Sequence, residues 1–138
     1  MIEINNRTRG RIDERAVREA AAAFLRLKKK KQVGLSIAFI GDKAMRKLNR
    51  VYRRRDRTTD VLSFEGDRRS GDFGEIIINY QEIKRQARRL GHSAKQELIF
   101  ILIHGLLHLD GLDDDTEKKR LAMIAAGEKI LKKINIKL

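Results

Sequence analysis

SAKQELIFILIHGLLHLDGLDDDTE, residues 93–117, is the stretch whose reading decides the fold. Between Leu98 and Leu109 every position is apolar except His104, His108 and a glycine, Gly105. A helix apolar all round is a buried helix. Two imidazoles inside it are costly unless each finds a partner. Their i, i+4 spacing stacks them on one face, with Glu97 and Ile101 further along it. Gly111 stands at the C′ position, where a helix can end and reverse the chain. That reversal would bring Asp113, Asp114 and Asp115 back towards the histidines. Two neutral imidazoles and one oxygen ligand form a divalent-metal constellation with a coordination position left open. Asp114 also has a competing use, because Asp114 with Glu117 reads as an N-cap and capping-box pair for a following helix.

Around this helix, 138 residues are expected to form one domain, 1–138, large enough to bury a core without staples. There is no cysteine, which excludes disulfides and thiolate zinc sites. The first ten residues, MIEINNRTRG, lack the apolar region of a secretory signal. The longest apolar run, 98–103, is far too short to span a membrane. A cytoplasmic protein with no membrane partner is expected. Thirty-two Lys+Arg against nineteen Asp+Glu give a net charge of +13, which points to a polyanion such as nucleic acid. High charge without cysteine is also a hyperthermophile composition, but that does not account for so large an imbalance.

In chain order, residues 2–5 alternate as a short strand. Asp13 is an N-cap for a helix over 14–30 with Ala16, Val17, Ala20, Ala21, Phe24, Leu25 and Leu27 on its stripe. Lysines 28–31 end that helix, where they complement its dipole. Residues 33–40 are a second strand. Asp42 is expected to cap a helix through Val51, with Met45, Leu48 and Val51 inward. Residues 50–57, RVYRRRDR, hold five arginines and a tyrosine, Tyr52. A third strand at 61–64, a polar loop at 65–72 and a fourth strand at 73–79 follow, the last buried on both faces. Residues 80–90 form a basic helix ended by Gly91. Ser93 and Gln96 form a capping box opening the histidine helix. A last helix over 116–134 is expected to carry Leu121, Ile124, Ala125, Glu128, Leu131 and Ile134. The fold class is therefore α/β (α+β): a small mixed four-stranded sheet packed with about five helices, the buried central one carrying the histidines.

The helix has the two histidines of H-E-x-x-H zinc proteases, but Gly105 stands where their general base would be, so proteolysis by that mechanism is disfavoured. Glycine inside a helix costs roughly 0.5–1 kcal/mol relative to alanine, and close approach of backbone or substrate would be a reason to keep it.

Three blocks resemble the YbeY family of bacterial endoribonucleases, which act in rRNA maturation. They are Leu48-Asn49, Tyr52-Arg53, Asp56 and Thr59-Asp60-Val61-Leu62-Ser63-Phe64; then Phe73-Gly74-Glu75-Ile76-Ile77-Ile78; then His104-Gly105-Leu106-Leu107-His108-Leu109-Asp110-Gly111-Leu112-Asp113. The resemblance implies an α/β fold and one metal ion, usually taken as zinc, held by H-x-x-x-H-x-x-x-x-x-H. It implies that Arg53 lines the cleft and serves RNA processing. His104 and His108 match directly. The family's third histidine falls on Asp114, which can ligate zinc through oxygen. One more negative charge would make a bound water less acidic and the site more tolerant of harder metals. The family's usual proline after Ser-Phe is Glu65 here.

The expected protein is a metallo-endoribonuclease for single-stranded or structured RNA in rRNA maturation and ribosome quality control. Its expected metal ligands are His104, His108 and Asp114, and its expected catalytic residues are Arg53, His104 and His108. Arg53 would clamp the scissile phosphate. Arg50, Arg54, Arg55, Arg57 and lysines 28–31 would track flanking phosphates, a contribution that falls with salt. Tyr52 either stacks a base or simply ends its amphipathic helix. Either a metal hydroxide or the RNA 2′-OH can attack. The partners implied are rRNA and ribosomal particles, with no DNA expected. Two rivals share the triad: a metallohydrolase of peptides or small molecules, and a non-catalytic ribosome-assembly protein with a structural metal. Glu97 would either support the metal ligands or partner a buried basic residue.

Overall fold

The computed structural model of the chain describes residues 1–30 and 33–134. Four strands, β1 (Ile2–Asn6), β2 (Gly34–Ile40), β3 (Val61–Glu65) and β4 (Asp72–Asn79), form one sheet in the order β1-β2-β4-β3. β1, β2 and β4 are parallel, and β3 lies antiparallel to β4 at an edge. Among the described residues there are five α-helices, α1 (Glu14–Leu27), α2 (Asp42–Arg53), α3 (Tyr80–Leu90), α4 (Ala94–Leu109) and α5 (Glu117–Ile134). The first four contact the sheet, and α5 packs on α1 and α4. This is the mixed sheet with five helices that the residue pattern predicts.

Strand alternation separates two cores. Leu35, Ile37 and Phe39 from β2 and Phe73, Ile76 and Ile78 from β4 join α1 and α4 in the larger one. Ala38, Ile40 and Ile77 face the other side, where Met45 of α2 covers them. The isoleucine run 76–78 is therefore buried on both faces, as a sheet covered on both sides requires. α4 sits inside the larger core, touching α1, α3, α5, β3 and β4.

Both ends of α4 are fixed locally. Ser93 Oγ accepts from the Gln96 amide at 3.1 Å while Gln96 Oε1 accepts from the Ser93 amide at 3.0 Å, the predicted capping box. At the other end Gly111 takes φ +98°. Its N–H donates to the His108 carbonyl and that of Leu112 to the Leu107 carbonyl, both at 3.0 Å, which closes the helix and reverses the chain. Gly105 lets the sheet approach α4 closely. A Cβ there would lie 3.2 Å from both Ile76 Cγ2 and Ser63 Oγ. Ser63 Oγ in turn donates to the Gly105 carbonyl at 3.2 Å.

Several expectations are corrected. Asp42 is the first residue of α2 rather than its cap, which is Gly41. The Asp42 carboxylate is instead gripped by Arg85 through two bonds of 2.9 and 2.6 Å and by Asn79 at 2.7 Å. A charge-assisted fork outweighs a cap bond. Val51 points outward, 58% exposed, and the buried partner of Met45 is Asn49. On α5 the inward stripe is Met123, Gly127 and Ile130, whereas Leu121 is 55% exposed. α1 ends at Leu27, itself exposed, and Lys31 of the lysine run lies outside the described residues.

Candidate metal centre

The reversal at Gly111 does what the spacing of the histidines requires. The His104 and His108 rings stand edge to face, centroids 5.0 Å apart. Asp114 Oδ2 lies 3.6 Å from His104 Nε2 and 3.5 Å from His108 Nε2. One ligating atom from each residue falls within 4.8 Å of the other two. Ligands at about 2.0–2.1 Å from a tetrahedral zinc stand roughly 3.3–3.4 Å apart. The histidine–aspartate distances sit close to that edge and beyond an ordinary N–H···O bond, so the donor set fits a divalent ion.

Burial, then the neighbouring His108, pushes the His104 pKa below its ordinary 6.5. Neutral imidazole is the ligating form. Below pH 6.5 the unfolded chain takes a proton that folded His104 refuses. The stability owed to neutral His104 is thus full above pH 6.5 and is lost as pH falls towards the lowered value.

The competing use of Asp114 as a helix cap is taken by another residue. Thr116 Oγ1 accepts from the Lys119 amide at 3.1 Å and opens α5. Lys119 also draws Asp113 and Asp115 away from the histidines, at 3.6 and 3.2 Å. Asp113 accepts from the Asp115 amide, which, with Lys119, holds its carboxyl below the usual carboxylate range. Only the middle aspartate faces the imidazoles.

The triad opens into a cleft of about 570 Å³ whose walls include Arg53, Thr59, Ser63 and Glu65. Arg53 is the last residue of α2. Its guanidinium lies 5.0 Å from the Phe64 ring, and Nη2 donates to the Ser63 carbonyl at 2.9 Å. The turn beyond it is held by Arg54 in the left-handed region and by buried Asn49, whose Nδ2 donates to the Arg57 carbonyl at 2.8 Å. Tyr52 packs edge-on against Phe64 at 5.5 Å.

Glu97 takes the second of its two expected roles, and three nearby cations have partners within the chain. Buried Glu97 meets His92 Nε2 at 2.7 Å, so it partners a basic side chain rather than the metal face. Lys28 and Lys30 approach Asp110 at 3.7 and 3.8 Å, while Arg68 stacks 4.4 Å over Phe73 and donates to the Leu109 carbonyl. These cations gather at the C-terminal, negative end of α4 and brace it. Two of the lysines expected to track flanking phosphates, Lys28 and Lys30, thus have a carboxylate partner within the chain. Glu65, which replaces the family's proline, stands at the strand end beside the cleft, and Thr59 and Ser63 line it as well. Alternation along β3, which places Ser63 towards α4 and Leu62 towards the smaller core, is the sequence signal for Ser63.

An α/β sheet with a buried two-histidine helix and a carboxylate folded back onto it defines a candidate metalloenzyme. A family model described as endoribonuclease YbeY matches residues 3–135. Relatives named endoribonuclease YbeY include one from Phytoplasma australiense, 33% identical across 98% of this chain and 96% of its own length. Another, from Geobacillus thermodenitrificans, is 37% identical across 89% and 85%. A solution structure of a protein from Thermotoga maritima superposes with a TM-score of 0.66, at 26% identity, covering 97% of this chain and 89% of that one. The chain belongs to the endoribonuclease YbeY family.

Proposed function

We propose that this chain is a metal-dependent endoribonuclease acting in rRNA maturation and ribosome quality control, a cytoplasmic enzyme working on rRNA and ribosomal particles. The observation that carries the reading is a His104–His108–Asp114 triad, its Asp114 oxygen 3.6 and 3.5 Å from the two imidazoles, sharing one cleft with the Arg53 guanidinium. His104, His108 and Asp114 would hold the ion, with zinc best matched to two nitrogens and one oxygen. A divalent ion there supplies Lewis acidity towards a phosphoryl oxygen or a water. Arg53 orients the scissile phosphate through its planar fork. Phe64 beneath it and the Ser63 carbonyl beside it fix the angle of that fork.

A peptide substrate laid along the free edge of β3 would need that carbonyl, and Arg53 occupies it. Three ligands rather than a closed set of four among the described residues favour catalysis over a structural metal.

The test is cleavage of a structured rRNA fragment by metal-loaded wild type beside His108→Ala and Arg53→Ala. Wild type alone should cut at full rate, and equal cutting by all three would expose a contaminating nuclease. RNA affinity should fall steeply between low and physiological salt, because each neutralised phosphate releases counterions. A flat response would refute the backbone contacts. Among the aspartates, Asp114→Ala should lose metal affinity in a calorimetric titration, while Asp113→Ala and Asp115→Ala retain it. The reverse pattern would reassign the third ligand.

A further inference from the structure

α2 carries Lys43, Arg46, Lys47 and Arg50 at i, i+3, i+4 and i+7, the spacing of a single helix face. Here Met45 and Asn49 do the burying, and the cationic row is exposed. Like charges at i, i+4 oppose helix formation, so local stability gives no reason for Lys43 to stand beside Lys47 or Arg46 beside Arg50. Asp56 relieves part of this, reaching Arg46 at 2.9 Å and Arg50 at 3.8 Å. Lys43, Lys47 and Arg57 have no acidic partner within ion-pair distance among the described residues.

The row borders a groove of about 920 Å³, larger than the cleft at the metal triad, with Arg57 and Thr58 at one end. A third depression of about 500 Å³ also includes Arg57 and Thr58, and shares Arg53, Thr59 and Asp114 with the triad's cleft. The three hollows therefore run on from one another: the α2 groove, the turn 54–59, then the metal centre. The turn contributes Arg55 to the middle hollow. The row is about 10 Å long, from the rise of 1.5 Å per residue, too long for one phosphate and suited to successive phosphates of a strand. Lysine and arginine stems floor the groove, giving an apolar surface for ribose between charged heads.

We propose that the Lys43–Arg46–Lys47–Arg50 face of α2 is a second RNA-binding segment. It holds the strand flanking the cut site after that strand passes over the 54–59 turn, and so makes the enzyme prefer RNA long enough to reach it. The inference rests on the ribonuclease reading of the cleft. It assigns the flanking contacts mainly to α2 rather than to the lysines that follow α1.

The test is K43Q/K47Q, which touches neither the triad nor Arg53 and breaks no ion pair. Two RNAs sharing one cleavage site are compared, a long one and a short one ending just beyond the site. Fluorescence anisotropy reads affinity independently of cutting. For the long RNA, affinity should fall about tenfold at low salt. The slope of log affinity against log salt should shrink by about 1.4, the value for two single-strand phosphate contacts. Affinity for the short RNA, kcat and metal content should stay at wild-type values. Unchanged affinity for the long RNA, or equal losses on both RNAs, would overturn the proposal. If wild type cuts neither RNA the ribonuclease reading fails, and anisotropy on the long RNA still decides whether α2 binds it.

Discussion

His108→Ala should yield a folded protein that has lost its metal and, with it, RNA cleavage. The fold should survive because His108 is on α4 with its side chain 29% exposed, and alanine is the best helix former. The core around it is built by Leu106, Leu107 and Leu109, which the substitution leaves in place. Metal affinity should drop by more than about a hundredfold, since losing a group that merely supports a ligand already costs about 10–100-fold. Cleavage should fall to background, while RNA affinity, set by distant cations, should stay near wild type. A structural metal predicts a different pairing: the melting temperature and RNA binding collapse together when the imidazole is removed. Calorimetric metal titration, thermal melting and anisotropy on one preparation separate the two.

Arg53→Ala should lower the cleavage rate by about 10²–10³, the loss seen when one preorganised donor to developing charge is removed. Its metal content and melting temperature should be unchanged, because Arg53 is exposed and its one hydrogen bond is to the Ser63 carbonyl, which water can take over. Arg53→Lys should recover only part of the rate. Lysine is a point charge without the planar fork. The effect should appear in kcat more than in KM if the contact strengthens as charge develops. Full recovery by lysine would reduce Arg53 to one more backbone cation.

Much of this site was legible because it is written in local rules. The capping box of Ser93 and Gln96, the i, i+4 histidines and the reversal at Gly111 each depend on residues within one turn of one another. Hydrophobic pattern likewise placed the sheet and its two-sided fourth strand. What escaped was long-range competition for polar groups. Asp42 has the character of a cap, but Arg85 lies 43 residues away and offers two bonds. Asp114 has a capping-box partner in Glu117, yet Thr116 took the cap and left it to the histidines. Lysines 28 and 30 read as complementing the dipole of their own helix, but the C-terminus of α4, far away in sequence, brings Asp110 beside them. On α5, Leu131 and Ile134 pack against the core as the pattern predicts, whereas Leu121 faces solvent and Met123 and Gly127 take the buried positions, Gly127 close beside Leu107 of α4.

The measurement that bears most directly on the account is cleavage of a structured rRNA fragment during metal titration. Protein stripped with a chelator should be inactive, and zinc should restore cutting in proportion, reaching a plateau at one ion per chain. His104→Ala and Asp114→Ala should need far more zinc for the same rate. Stripped protein that cuts as fast as the reloaded enzyme would contradict a metal-dependent site at His104, His108 and Asp114.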